Sequence, residues 1–262
     1  MVIPAHAWTP WYGLLGSKSG FDSIEECFGE DATRIKAIET GLSSDPSMNW
    51  RVPGLDSVSI VSFSDAHSAA LIGREITILD ATPSYTDIVA ALTGGGVNET
   101  VEFFPEHGKY HLNGHRKCNV CLQPKDTPPD GRCEVCGRPL TVGVMDRVEE
   151  LAKRPDSAVA TDGGLICGPA GRPPYRRLVP LADLLSRALN VGRATKTVER
   201  SRTALIHEFG TEFATLLDAT RDEIGRVAGE NVASAVLAMR RGEISIRPGF
   251  DGEYGQIILP QA

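Results

Sequence analysis

The sequence predicts an α/β protein interrupted by a small cysteine-rich insertion and finished by a helical region. Three observations carry this. Residues 1–105 alternate short apolar runs with helical periodicity, residues 106–142 are poor in apolar side chains and hold two C-x-x-C pairs, and the composition after Pro180 turns helical. The expected units are therefore 1–105, 106–142 and 143–262.

Taken in order, Val2 and Ile3 read as the end of a buried strand stopped by Pro4, with His6 in the loop behind it. "EDATRIKAIETGLSSDP" reads as a short helix, a strand and then a loop, with Glu39 at the strand's mouth. "DSVSIVSFSDAH" is the clearest strand, apolar at Val58, Ile60, Val61 and Phe63. "SYTDIVAALTGG" is a helix capped by Ser84 and closed by glycine. This order of elements suggests a parallel layer, either an open sheet or part of a barrel. "GVMDRVEELAKR" is a helix ended by Pro155, and "DSAVATDGGLICGPAGRPPYRR" reads as a long turn-rich connection. "LADLLSRALN", "TKTVERSRTALIHEFG", "EFATLLDA" and "RDEIGRVAGENVASAVLAMRRG" are helices, and "EISIRPGFDGEYGQIILP" is a hairpin turning at Asp251 and Gly252.

A hydrophobic fraction of 41% and a charged fraction of 23% are those of an ordinary globular chain. No run of eighteen apolar residues and no leader-like start is present, so a cytoplasmic protein with no membrane partner is expected. The net charge of -7 excludes a generally cationic coat for nucleic acid. Residues 172–202 nevertheless hold eight basic side chains against two acidic ones, which fits either an electrostatic footprint or a solvated helical face.

Cys118-x-x-Cys121 and Cys133-x-x-Cys136 have the spacing of two metal knuckles, four thiolates closing a tetrahedron around a structural zinc ion. On that reading His111 and His115 are surplus, and Cys27 and Cys167 are ordinary unpaired thiols. Asp65 and His67 stand two apart at a strand's carboxyl end, so a persisting strand would aim both to one side, a pair that suits a divalent cation. His6 joins them from another strand end. Glu39 is a ligand, a supporting carboxylate or a plain turn residue.

With "IPAHAWTPW", "ETGLSSDP", "SDAHS", "EFFPEHGKYHLNGHRKC", the double knuckle, "GRPLTVGVMDRVEELAKR" and "RPGFDGEYG" in this order, the chain resembles the endonuclease Q family. The resemblance implies a partial PHP-type (TIM-like) barrel over 1–105, a zinc-ribbon-like insertion over 106–142 and an α-helical C-terminal domain over 143–262. It implies a nuclease that nicks on the 5′ side of deaminated bases (uracil, hypoxanthine, xanthine) or abasic sites, using a divalent catalytic metal (Zn, Mg or Mn). His6, Asp65 and His67 would then be metal ligands with Glu39 beside them, and Cys118, Cys121, Cys133 and Cys136 the zinc ligands. PHP proteins begin with a His-x-His element that this chain lacks, so a missing barrel half is expected, lost by truncation or supplied by another chain, with little turnover from this chain alone.

Damaged DNA is the expected partner. An extruded base is held by stacking and by polar contacts to its edge. Trp8, Trp11 and Trp50 fall in loops beside the proposed ligands and could stack on a base or pack in the core. Lys18, Arg193 and Lys196 are the DNA-contacting cations of this reading, and Gly229 stands at the turn of a helix-hairpin-helix-like segment where backbone N–H groups could meet a phosphate. Two other readings fit: a non-catalytic zinc-containing DNA-binding module, and a phosphoesterase acting on small phosphorylated substrates.

Overall fold

The structure, a computed structural model of the chain, describes residues 1–18, 20–161 and 163–260. No regular element forms at residues 1–4, and Val2 is exposed, so the first expected strand is absent. Residues 4–7 instead lie along β1 (Ala37–Glu39): the Glu39 N–H donates to the Pro4 carbonyl, and the Ala7 N–H to that of Glu39, both at 3.0 Å. Before β1 come the short helix α1 (Ile24–Phe28) and a 3-10 turn over Gly29–Arg34. After it, α2 (Pro46–Trp50) begins at Asp45, whose carboxylate accepts the Met48 N–H at 3.1 Å, with Pro46 in the first turn where a missing N–H costs nothing. β2 (Ser59–Val61) pairs in parallel with β1, Ile38 opposite Ile60.

β3 (Ile76–Leu79), α3 (Tyr85–Gly94) and β4 (Val97–Glu102) follow. α3 has the caps expected of it, Ser84 accepting from the Asp87 N–H and Gly95 ending the helix at φ +84°. β5 (Asn113–His115) and β6 (Val120–Leu122) form the antiparallel pair of the cysteine-rich unit, and α4 (Val144–Leu151) follows it.

The turn-rich connection holds three strands that the sequence did not announce: β7 (Val159–Ala160), β8 (Leu165–Cys167) and β9 (Tyr175–Arg177). They complete a five-stranded sheet of order β3-β4-β9-β8-β7, in which only β4 and β9 run in parallel. The layer is therefore mixed rather than parallel, and it crosses the expected boundaries at 105 and 142. These strands were illegible because two or three residues carry no measurable alternation; long-range pairing with β4 makes them strands.

Helices α5 (Leu181–Ala188), α6 (Lys196–Phe209), α7 (Arg221–Ala228) and α8 (Glu230–Arg240) match the helical reading, with a π turn at Ala214–Asp218. Thr195 caps α6, and Thr220 with Glu223 forms a capping box on α7. β10 (Ser245–Arg247) and β11 (Gln256–Ile258) are the expected hairpin, with Asp251 and Gly252 both at positive φ. No helix among the described residues is long and apolar enough to cross a membrane.

One core joins Leu181, Leu184, Leu205, Ile224 and Val236 of the helices to Val101 of β4. A second gathers Trp8, Leu15, Ile38, Met48 and Val148 beneath the N-terminal loop. Between the strand ends lies a buried polar knot. Glu102, fully buried, accepts from the hydroxyls of Thr40 and Ser62 at 3.0 Å each and from that of Thr100, so it ties together the residues just past β1 and β2. Asp45, also fully buried, accepts from Ser47, from the Tyr175 hydroxyl at 3.1 Å and from the Arg177 guanidinium.

Burial pushes the Glu102 carboxyl up to about 8, and burial together with the Glu102 charge pushes Glu75 up as well. For Asp45 burial acts in the same direction, but Arg177 overrides it and holds the carboxyl below its ordinary value. Between the usual glutamate range and about pH 8 the folded state thus binds more protons than the unfolded one. Stability should fall as pH rises from about 4.5 toward about 8 and level off beyond. The Asp45 contribution has the opposite sign, present above the ordinary aspartate range and lost only in acid below it. Urea unfolding across pH 4–9 should show the alkaline decline, and Glu75→Gln should flatten part of it; a curve that rises toward pH 8 would contradict the assignment.

Candidate functional site

The loop from residue 6 to residue 18 folds back on itself. Its bonds are Thr9 N–H to the His6 carbonyl (3.0 Å), Leu15 N–H to the Ala7 carbonyl (2.7 Å) and Lys18 N–H to the Pro10 carbonyl (2.8 Å). Beneath it the buried Arg147 of α4 donates to the carbonyls of Leu15 (3.1 Å) and Phe21 (2.7 Å) and pairs with Asp22. His6 sits at φ +34° with its backbone N–H on Glu39 Oε2 at 2.7 Å, while its Nδ1 is buried without a hydrogen-bond partner. Glu39 therefore anchors the His6 backbone. Gly41 makes that position available, because a Cβ there would lie 2.6 Å from the His6 Cβ, and its φ is +59°.

Asp65 lies beyond the end of β2, at φ +44°, so the strand alternation expected to align it with His67 does not reach it. The two still meet within their loop. His67 Nδ1 is 2.8 Å from the Asp65 carbonyl and 3.9 Å from Asp65 Oδ1. Both side chains are open to solvent, His67 at 81% and Asp65 at 49%. Arg74 steadies the loop by donating to the Ser64 carbonyl at 2.7 Å.

His6, Glu39, Asp65 and His67 do not, however, assemble as a ligand set. Among the described residues a single group brings three or more such donors to one point, and it lies elsewhere. That group is His115, Cys118, Cys133 and Cys136, whose ligand atoms all fall within 4.8 Å of one another. A tetrahedral ion with metal–sulfur bonds of about 2.3 Å sets its sulfurs about 3.8 Å apart, so a small inward shift of these side chains would close them on one ion. His115, expected to be surplus, is in this group, and Cys121 is not. The β5–β6 pairing sets His115 opposite Val120 and Cys121 opposite Gly114, so the two side chains leave opposite faces of the pair. His115 Nδ1 stands 3.4 Å from Cys136 Sγ. Burial opposes the Cys133 thiolate, yet the N–H groups of Val135 and Cys136 and the His115 side chain bring it down to about 7, while its hydrogen bond to Cys136 pushes Cys118 up to about 11. The donor set suits a metal ion that the fold would hold closed.

Two of the three tryptophans are unavailable for stacking. Trp8 is buried and donates Nε1–H to Asn49 at 2.8 Å, and Trp50 is buried against Tyr175 at a centroid distance of 5.6 Å. Trp11, 43% exposed, remains at the surface edge-on to Tyr110 at 5.1 Å. Lys18 shares a cleft with it. A larger cleft of 620 Å³ has Arg74, Lys109, Arg187 and Arg193 in its lining with Phe103, Tyr254 and the carboxylate of Asp183. His107 stands between these two rings, 5.1 Å from Phe103 and 5.9 Å from Tyr254. No single motif marked this cleft, although "EFFPEHGKY" and "FDGEYG" supply its aromatic wall. Arg193 pairs with Asp183 at 3.1 Å, Lys196 and Arg200 line an open groove on α6, and Gly229, at φ +91°, joins α7 to α8. Arg172, Arg176, Arg177 and Arg202 also pair with carboxylates, which cancels much of the expected basic footprint.

Residues 180–243, the α5–α8 region, match the family described as the MJ0043 C-terminal domain. The whole chain superposes on the lesion-specific endonuclease PfuEndoQ from Pyrococcus furiosus with a TM-score of 0.85, 32% identity and 99% of its length covered. This chain is a structural relative of endonuclease Q. A second endonuclease Q structure, in complex with a 27-mer duplex substrate carrying an abasic lesion at the active site, superposes with a TM-score of 0.82 at 31% identity over 99% of the chain. The chain spans 62% and 63% of those endonuclease Q chains. It is also 32% identical over 261 residues to the uncharacterized protein MJ0043 of Methanocaldococcus jannaschii and 31% identical over 262 residues to the uncharacterized protein YqxK of Bacillus subtilis. Those matches cover 96% and 98% of this chain but 31% and 60% of the two relatives.

The close contact at Gly41 gives a direct check. Gly41→Ala should destabilise the fold by more than ~1 kcal/mol, because its φ is unfavourable for alanine and the new methyl group displaces His6. Denaturant unfolding reads the first effect, and a shifted His6 imidazole resonance reads the second.

Proposed function

We propose that this chain is the damaged-DNA-binding part of an endonuclease Q-type nuclease. The observation that carries the reading is the match along 99% of the chain to an endonuclease Q bound to an abasic duplex. By the same likeness the complete activity is a nick on the 5′ side of a deaminated base or abasic site. The 620 Å³ cleft supports this, since cationic side chains for phosphate stand there beside aromatic rings for a base, and Arg74 joins its wall to the Asp65 loop.

The metals divide into two cases. His115, Cys118, Cys133 and Cys136 fit a structural zinc ion, which would brace a segment with little apolar core of its own. The resemblance assigns a catalytic cation to His6, Asp65 and His67, but these donors do not converge, and no hydrolytic step follows from their geometry. That observation favours the second reading, a zinc-containing DNA-binding module without catalysis.

The purified chain should therefore bind uracil-containing or abasic duplex more tightly than intact duplex, with affinity falling steeply as salt rises. It should cut little in Mg or Mn. Equal binding of damaged and intact duplex would sink the proposal, and robust cutting would sink the non-catalytic reading. Zinc content offers a separate test: Cys118→Ser, Cys133→Ser or His115→Ala should each lower bound zinc, whereas Cys121→Ser should leave it near one equivalent per chain.

A further inference from the structure

The loop from residue 6 to residue 18 presents an aromatic side chain that the fold does not use. Tyr12 is 95% exposed, the most exposed of the chain's large apolar side chains among the described residues. Its backbone lies at φ +66°, a left-handed conformation that a bulky residue adopts only when its surroundings impose it. The surroundings do impose it. Ala7, Trp8, Leu14 and Leu15 of the loop itself are buried, and a Cβ on Gly13 or Gly16 would stand 2.4 or 2.1 Å from the Thr9 carbonyl oxygen. The loop is thus closed tightly at its base while Tyr12 projects from its tip. Strain held in place around an exposed ring marks a position kept for contact rather than for packing.

Tyr12 also borders a cleft of 480 Å³, lined further by Trp11, Lys18, Phe21 and Phe28. Trp11 is the shared wall: it faces this cleft and packs edge-on against Tyr110, which lines the 620 Å³ cleft. Two clefts therefore lie on either side of one aromatic ridge. The smaller combines a flat, sequence-tolerant surface with a cation, the pairing that single-stranded nucleic acid selects.

We propose that Tyr12 and this smaller cleft bind an unpaired nucleobase of a damaged duplex, Tyr12 stacking in the gap left in the helix and Lys18 meeting the adjoining phosphate. The inference rests on the damaged-DNA reading above and adds to it a second base-binding surface distinct from the larger cleft. The ring acts by stacking alone, so phenylalanine serves as well as tyrosine. Glycine, which accepts the left-handed backbone, removes the ring without strain.

The test compares the parent chain with Tyr12→Phe, Tyr12→Ala and Tyr12→Gly on an abasic duplex carrying 2-aminopurine beside the lesion, with the intact duplex as control. Tyr12→Phe should retain the lesion preference and the change in 2-aminopurine fluorescence on binding. Tyr12→Ala and Tyr12→Gly should lose both, with affinity for the lesion lowered roughly ten-fold and affinity for intact duplex unchanged. Tyr12→Gly should melt no lower than the parent, which separates loss of contact from loss of fold. Retained preference in Tyr12→Ala, or a clear drop in the melting temperature of Tyr12→Gly, overturns the inference and leaves the damaged-DNA reading standing. Absence of lesion preference in the parent removes both. A dimer in sedimentation that Tyr12→Ala dissolves would assign the cleft to a second copy of this chain instead.

Discussion

The structure depends on how its strand ends are held together, and buried carboxyls do the holding. Glu102 at the end of β4 collects hydroxyl donors from Thr40 and Ser62, the residues immediately beyond β1 and β2. Asp45 at the head of α2 collects Tyr175 and Arg177 from β9. Two carboxyls thus join four strands that no continuous sheet connects, for β1 and β2 pair only with each other. A buried carboxyl is costly unless its oxygens are satisfied, so these partners are obligatory. Directionality follows: an apolar contact would tolerate sliding of one strand end past another, whereas a hydrogen-bonded carboxyl fixes the register.

Above this knot the chain spends its strain. His6, Tyr12 and Asp65 occupy the left-handed region without being glycine, and so does Asn119 inside the Cys118–Cys121 knuckle. These four lie in loops that carry a candidate function, whereas Asn190 after α5 and Asp251 in the last hairpin hold the same conformation as ordinary turn residues. Loops of this kind keep an unfavourable backbone only because packed residues beneath them leave no alternative, as Arg147 does under the residue 6–18 loop.

Electrostatics limit how such a molecule could meet a phosphate backbone. A chain of net charge -7 whose arginines are largely engaged with carboxylates offers little diffuse attraction to a phosphate backbone. Cations and aromatic rings coincide at the 620 Å³ and 480 Å³ clefts on either side of the Trp11–Tyr110 pair, and the proposed contacts lie there. On the proposed reading, shape and stacking would carry more of the recognition than bulk charge.

Read by itself, the sequence determined whatever depends on near neighbours. Ser84 and Gly95 bound α3, the turn at Asp251 and Gly252 makes the last hairpin, and the C-x-x-C pairs mark a segment whose donors could hold a metal ion; each is decided within a few residues by capping, by left-handed turn positions or by thiolate spacing. Tertiary structure decided the rest. β9 became a strand because β4, some seventy residues earlier, offered an edge. Trp8 and Trp50 went inward because cores formed over them, and Trp11 stayed outside. His115 rather than Cys121 stands with the other three cysteines, since the register of β5 with β6 puts those two side chains on opposite faces of the pair. Spacing along a chain tells which atoms can coordinate, and only the folded backbone tells which of them point to one place.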